Sequence, residues 1–310
     1  MSKNIKLQKS LVLTLKVTLF IVFCYLLYQQ ISKLTLEQFQ SITIDRPLFL
    51  FFTFLLFFMN WGFEFLKWLK IIQVYDIKLS GKKLLSSFFS GITTGVVTPN
   101  RIGNFIGRII YFKGKLRAQI VLGTLYSNFS QFLVTLLFGI PSFIYLYDIV
   151  FYSYGNKTLY LSLVFLFLSV LFYFSVPFLK FKNIPLLTRK LNVLTQFQEK
   201  SKKLYLSFIL FSTGRFIAFS LQYFCFLIAF GVAFSFDLLM AIFMFYLIST
   251  LIPTLFLSKL VVREATGLFI LSFFVENSAI IVVSSLLLWV VNLGVPAIIG
   301  MYFILKKKNL

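Results

Sequence analysis

Thr98-Pro99-Asn100-Arg101-Ile102-Gly103-Asn104-Phe105-Ile106-Gly107-Arg108 is the stretch on which the reading of this chain turns. A helix starting after Pro99 places Arg101, Asn104 and Arg108, spaced by three and seven, on one face. Gly103 and Gly107, four apart, make a second face that another helix can approach closely. The surroundings are oily: 59% of residues are hydrophobic and 43 are Phe. A guanidinium at membrane depth is costly, so it faces protein or water and often marks a solute path. The plainer alternative is a loop at the inner surface with ordinary basic anchors, and the rest of the chain has to choose between the two.

Composition says polytopic membrane protein: one integral domain over residues 1–310, with no polar segment long enough for a soluble catalytic unit. The Lys-flanked apolar run Leu11–Ile31 is too long for a signal-peptide core and reads as a retained first span. The net charge of +21 fits positive-inside loops facing anionic lipid, with no nucleic-acid partner. Cys24 and Cys225 both fall in apolar spans and there is no His, so neither a metal site, a cofactor site nor His-based catalysis is expected. The missing nucleophile motifs and paired in-membrane carboxylates also speak against an embedded enzyme.

Basic and neutral loops then alternate. Leu48–Ile72 returns from a near-neutral outer loop to Lys67 and Lys70 inside. Leu84–Thr98 and Asn100–Phe112 are each about 15 residues, roughly 22 Å of helix, short of the ~30 Å hydrocarbon core. Both arms are flanked by Lys. A re-entrant hairpin over 84–113, entering from inside and turning at Pro99, is the economical solution, with Gly91 and Gly95 letting its arms pack. Gln119–Tyr147 goes out carrying Thr124, Ser127, Asn128, Gln131 and Thr135 as a polar stripe. Leu159–Leu179 returns to a Lys-rich inner loop, and Leu204–Phe230 goes out with Ser212, Arg215 and Gln222 on one face. Residues 238–275 contain Pro253, Arg263 and Glu264. Because Lys306–Lys308 belong inside, this segment must enter and leave on the outer face. Ala279–Leu305 closes the chain with Ser278, Ser285 and Asn292 in line.

The result is an all-α protein with about six full spans and two oppositely oriented re-entrant hairpins. It forms an inverted repeat, residues 1–150 against 159–305, an arrangement common in transporters. Glu64 and Arg215 occupy equivalent second spans. Glu64 has two readings, a pair with Lys67 at i+3 or a cross-repeat pair with Arg215. Arg263–Glu264 reads either as an internal ion pair or as ligand-binding groups.

At Thr98-Pro99-Asn100-Arg101-Ile102-Gly103-Asn104, and again from Pro253 to Arg263-Glu264, the chain resembles the transmembrane domain of lysylphosphatidylglycerol synthases and their stand-alone, flippase-like relatives. The resemblance covers nearly the whole chain. Asn104 stands where that family has a glutamate, and Leu255–Leu260 where it has glycines. No lysyl-transferring domain is present in these 310 residues, so synthase activity is not expected. The resemblance implies movement of a lipid headgroup between leaflets of the cell (inner) membrane. Arg101, Arg108, Arg215 and Arg263 would meet phosphate, since guanidinium matches its oxygens bidentately. Asn104, Asn128, Gln131 and Glu264 would meet other polar groups. Pro99, Gly103, Gly107, Pro253 and Glu64 would be structural. The expected partner is an anionic phospholipid or glycolipid, both termini are expected in the cytoplasm, and a homodimer stays open. The competing reading is a non-transporting accessory subunit or scaffold for a lipid- or glycan-modifying enzyme.

Overall fold

A computed structural model describes residues 31–96, 98, 103–150, 157–175, 202–252 and 258–308, with isolated positions at 21, 24, 25, 28, 29 and 199. Pro99, Arg101, Pro253, most of the Leu11–Ile31 span and most of the Lys-rich inner loop lie outside the described residues. All regular structure among the described residues is helical. In order these are α1 (Leu36–Gln40), α2 (Leu48–Val74), α3 (Gly81–Val96), α4 (Gly103–Ile109), α5 (Lys115–Tyr145), α6 (Tyr147–Val150), α7 (Lys157–Ser175), α8 (Tyr205–Ala229), α9 (Phe236–Leu251), α10 (Ser258–Leu271), α11 (Ser278–Trp289) and α12 (Val295–Lys308). Among the described residues four stretches are long and apolar enough to cross a membrane: α2, α5, α8, and α11 to α12. The sequence expects Ala279–Leu305 to be one continuous helix. It is instead interrupted by a π-helical segment, Val290–Gly294. The expected second arm of the first hairpin also ends early, at Ile109 rather than Phe112.

α2 shows how these helices divide their surface. Asn60, Glu64, Lys67 and Ile71, at helical spacing, are buried, while Phe51, Phe54, Phe58 and Met59 are exposed. The inward face is therefore the polar one, and the outward face is Phe. That is the inverse of a water-soluble helix and what a lipid solvent demands. α2 packs most extensively on α8, the second long helix of the other half of the chain. α3 packs on α12, and α9 packs on α5, so each of these two short helices lies against a long helix from the other end of the sequence.

Close approach depends on small residues. A Cβ at Gly103 or Gly107 would collide with the backbone carbonyls of Thr94 and Ser90, and one at Gly300 with that of Phe89. Contacts between Gly107 and Ser90, and between Gly103 and Thr94, fix α3 and α4 as antiparallel. Thr94 Oγ1 donates to the Gly103 carbonyl, and Ser90 and Tyr111 join their hydroxyls at 2.9 Å.

The loop ends sort into two groups. Tyr145 donates to Asp237 at 2.9 Å, Asp45 N–H donates to the Ala229 carbonyl, and Asn277 donates to the Gln38 carbonyl. These contacts gather Asp45, Asp237 and the neighbourhood of Glu276 at one end of the molecule. At the other end Tyr75, Phe112 and Leu204 share an apolar cluster with Leu84 and Leu116, next to Lys78, Lys82, Lys113 and Lys202. α3 and α4 start and finish at this basic end; α9 and α10 start and finish at the acidic end.

Candidate functional site

Between the two helix pairs lies a cavity of about 350 Å³. Asn104 and Arg108 reach its wall from α4, Asn128 and Gln131 from α5, Arg215 from α8, Ser249 from α9, Arg263 from α10 and Asn292 from the π segment. The structure thus brings together every described residue expected to touch a ligand, with one exception. Glu264 is buried behind the wall, and Arg101 is outside the described residues. Glu64, expected to be purely structural, is part of the wall.

The either-or posed for Glu64 resolves into a cluster. Glu64 pairs with Lys67 at 3.0 Å, with Arg215 at 2.8 Å and with Arg108 at 3.1 Å. Lys67 and Arg215 bind the same carboxylate oxygen, and Arg108 binds the other. One carboxylate therefore ties the first half's long helix to the second half's and to the hairpin arm. Arg108 is 1% exposed, with its guanidinium 4.8 Å from the centroid of the Trp68 ring and 5.7 Å from that of Phe88.

The amides continue the network. Arg215 Nε donates to Asn60 Oδ1 (3.0 Å), Asn60 Nδ2 to Asn292 Oδ1 (2.8 Å), and Asn292 Nδ2 to Gln222 Oε1 (2.7 Å). Gln222 Nε2 in turn donates to the Thr53 carbonyl (3.0 Å). On the other side Lys67 donates to Gln131 Oε1 and Ser212 Oγ, both at 3.3 Å. The π segment carries Asn292 to its place between Asn60 and Gln222; such bulges recur at functional sites.

Arg263 and Glu264 meet Ser285. Arg263 Nη2 donates to its carbonyl (3.0 Å), and its hydroxyl donates to Glu264 Oε1 (2.7 Å). Of the two readings the sequence left open, internal ion pair or ligand-binding groups, the described contacts join both side chains to Ser285 and place Arg263 in the cavity wall. The spacing is physical: two residues consecutive on a helix point about 100° apart, so a shared partner on α11 suits both better than direct contact.

Four buried polar atoms of cavity-lining side chains have no hydrogen-bond partner among the described residues: Trp61 Nε1, Asn104 Oδ1, Arg108 Nε and Arg263 Nε. Trp61, Tyr246, Ser249 and Thr250 complete the wall and were missed by sequence reasoning. Their only signal was position: each lies within a turn or two of a residue already singled out, Trp61 beside the polar face of α2 and the other three on α9, which is too apolar to show a stripe. Among the described residues no group of His, Cys, Asp and Glu could hold a metal ion.

No family model matches the chain, and no curated protein or solved structure is similar to it. The site has to be read from its own chemistry.

Among the described residues this site holds four cations, Lys67, Arg108, Arg215 and Arg263, against two carboxylates, Glu64 and Glu264. An apolar surrounding punishes uncompensated charge, so such an excess favours an anionic guest. The cations are not equivalent. Arg108 and Lys67 are sealed behind Glu64, each 1% exposed, whereas Arg215 keeps 15% of its side chain exposed and Arg263 is half-buried.

Proposed function

We propose that this protein is a flippase-like membrane protein that binds the polar headgroup of an anionic lipid in the central cavity and moves it, unaltered, between leaflets. The observation that carries the reading is the shared cavity: guanidinium groups from α4, α8 and α10 line one chamber, reached by helix pairs that start from opposite ends of the molecule. α3–α4 and α9–α10 are then two re-entrant hairpins of opposite entry, and the two halves of the chain an inverted repeat. Their reciprocal packing, α3 on α12 and α9 on α5, supports this. The basic end faces the cytoplasm, placing both termini there, by the positive-inside tendency. The motif resemblance to the lysylphosphatidylglycerol synthase transmembrane region points the same way.

Chemically, the cavity replaces water around the headgroup. Arg215 and Arg263 take phosphate oxygens through their unused N–H groups, and Asn104 and Asn128 take remaining polar atoms. The exposed Phe faces keep the acyl chains in the bilayer. A hairpin approaching from each end supplies one closure per leaflet, as alternating access requires.

Headgroup-resolved translocation in proteoliposomes tests this. Wild-type protein should accelerate exchange of a fluorescent anionic lipid over protein-free vesicles, and Arg263→Ala should remove most of the acceleration. Binding without any translocation would favour the scaffold reading. Unimpaired translocation by Arg263→Ala would remove the cavity from the mechanism.

A further inference from the structure

The charge and the hydrogen-bond occupancy of the cavity narrow the kind of anion it accepts. Three of its cations are guanidinium groups, which stay charged in proteins. Among the described residues they exceed, with Lys67, Glu64 and Glu264 by two charges. None of the other described acids lines the cavity. A guest with one negative charge would leave a net cation at depth, and one with two would close the balance.

The amides decide the size of the guest. Asn60, Gln131 and Asn292 look like a sugar-binding set, yet each already commits one N–H and its carbonyl oxygen to partners within the protein. Among the lining amides, Asn104 and Asn128 alone form no hydrogen bond within the described structure. Open donors among the described residues include the guanidinium edges Arg215 Nη2, Arg263 Nε and the more deeply buried Arg108 Nε, with the indole N–H of Trp61. A glycan would find few partners here, whereas a compact anion would find two forks and two amides.

We infer that the cavity is built for a terminal phosphomonoester, a dianionic phosphate on a lipid, in preference to a phosphodiester or a glycosylated headgroup. This rests on the headgroup-binding reading above. The geometry beside Glu64 fits the same class: its carboxylate is shared by Arg108, Lys67 and Arg215, of which only Arg215 keeps an exposed edge, so Arg215 Nη2 and Arg263 are the guanidinium groups open to the ligand.

Competition binding tests it, using the purified full-length protein and intact-complex mass spectrometry at about pH 8, where a monoester has lost its second proton (its pKa is about 6). The probes are phosphatidic acid, phosphatidylglycerol and phosphatidylcholine with matched acyl chains, with glycerol phosphate as a soluble competitor. Phosphatidic acid should win over phosphatidylglycerol by at least about tenfold, the scale of one extra partly screened charge contact. Asn128→Asp, which lowers the cavity's excess charge by one at a side chain with no protein partner, should narrow that preference several-fold. If phosphatidylglycerol binds as well or better, the monoester class is wrong while headgroup binding stands. If neither anionic lipid outcompetes phosphatidylcholine, the headgroup reading itself fails. If glycerol phosphate binds as tightly as phosphatidic acid, the monoester class stands and the ligand is soluble, not a lipid.

Discussion

Glu64→Gln is the most informative single change. In the native cluster one carboxylate lies 2.8, 3.0 and 3.1 Å from Arg215, Lys67 and Arg108. Each contact contributes about 5–6 kcal/mol of gross Coulomb attraction at an effective dielectric constant of about 20. Most of that offsets desolvation, so the three contacts do not sum to a stability. The amide is nearly the same shape, yet it leaves three mutually repelling cations in place, two of them 1% exposed. Breaking a buried pair by removing one partner costs about 3–5 kcal/mol. For a chain of this size that is a fall in Tm of about 5–8 °C. The assay is thermal unfolding of purified protein in detergent, followed by the helical circular dichroism signal. The companion is a double-mutant cycle with Arg215→Gln, in which the double variant should recover at least about 1 kcal/mol relative to additivity. A Glu64→Gln protein melting within about 2 °C of wild type, with additive doubles, would refute the claim that this carboxylate holds α2, α4 and α8 together.

Gly107→Ala puts a methyl group against the Ser90 carbonyl and Thr94 Oγ1; an overpacking cost of about 1–3 kcal/mol should appear as reduced folding yield or Tm. Asn292→Ala removes the link between Asn60 and Gln222 and should cost about 1–3 kcal/mol, mostly from unpaired buried amides, measurable in the same melts. In a background free of Cys24 and Cys225, cysteines at Asn128 and Ser249 should react with a small polar thiol reagent, while one at Phe58, on the exposed Phe face of α2, should not; equal labelling would argue against a hydrated cavity. Cysteines replacing Lys82 and Asp237 should be accessible to an impermeant reagent from opposite sides of sealed vesicles, and labelling of both from one side would overturn the assigned orientation.

Much of the site was legible because it breaks the rules of its surroundings. Arg108, Arg215 and Arg263 are guanidinium groups inside apolar stretches, and polar residues at helical spacing on Phe-rich helices face protein rather than lipid. Local spacing could not choose among Glu64's partners: Lys67 is one turn away in sequence, but Arg108 and Arg215 arrive from 44 and 151 residues downstream. It also could not choose between the two readings of Arg263 and Glu264, because their shared partner, Ser285, comes from another helix. Trp61, Tyr246 and Thr250 carried no distinguishing pattern at all.

Taken alone, the sequence determined which stretches are apolar enough to span a membrane, where basic charge collects, and which polar side chains lie inside. Those properties are sums of local transfer energies along the chain. The tertiary structure decided how the ions are shared: Arg108 sealed beneath Trp68, Arg215 open to the chamber, and Asn292 set between Asn60 and Gln222 by a π-helical segment. Each depends on where helices far apart in sequence cross, and hydropathy, which is blind to neighbours across the fold, carries no information about those crossings.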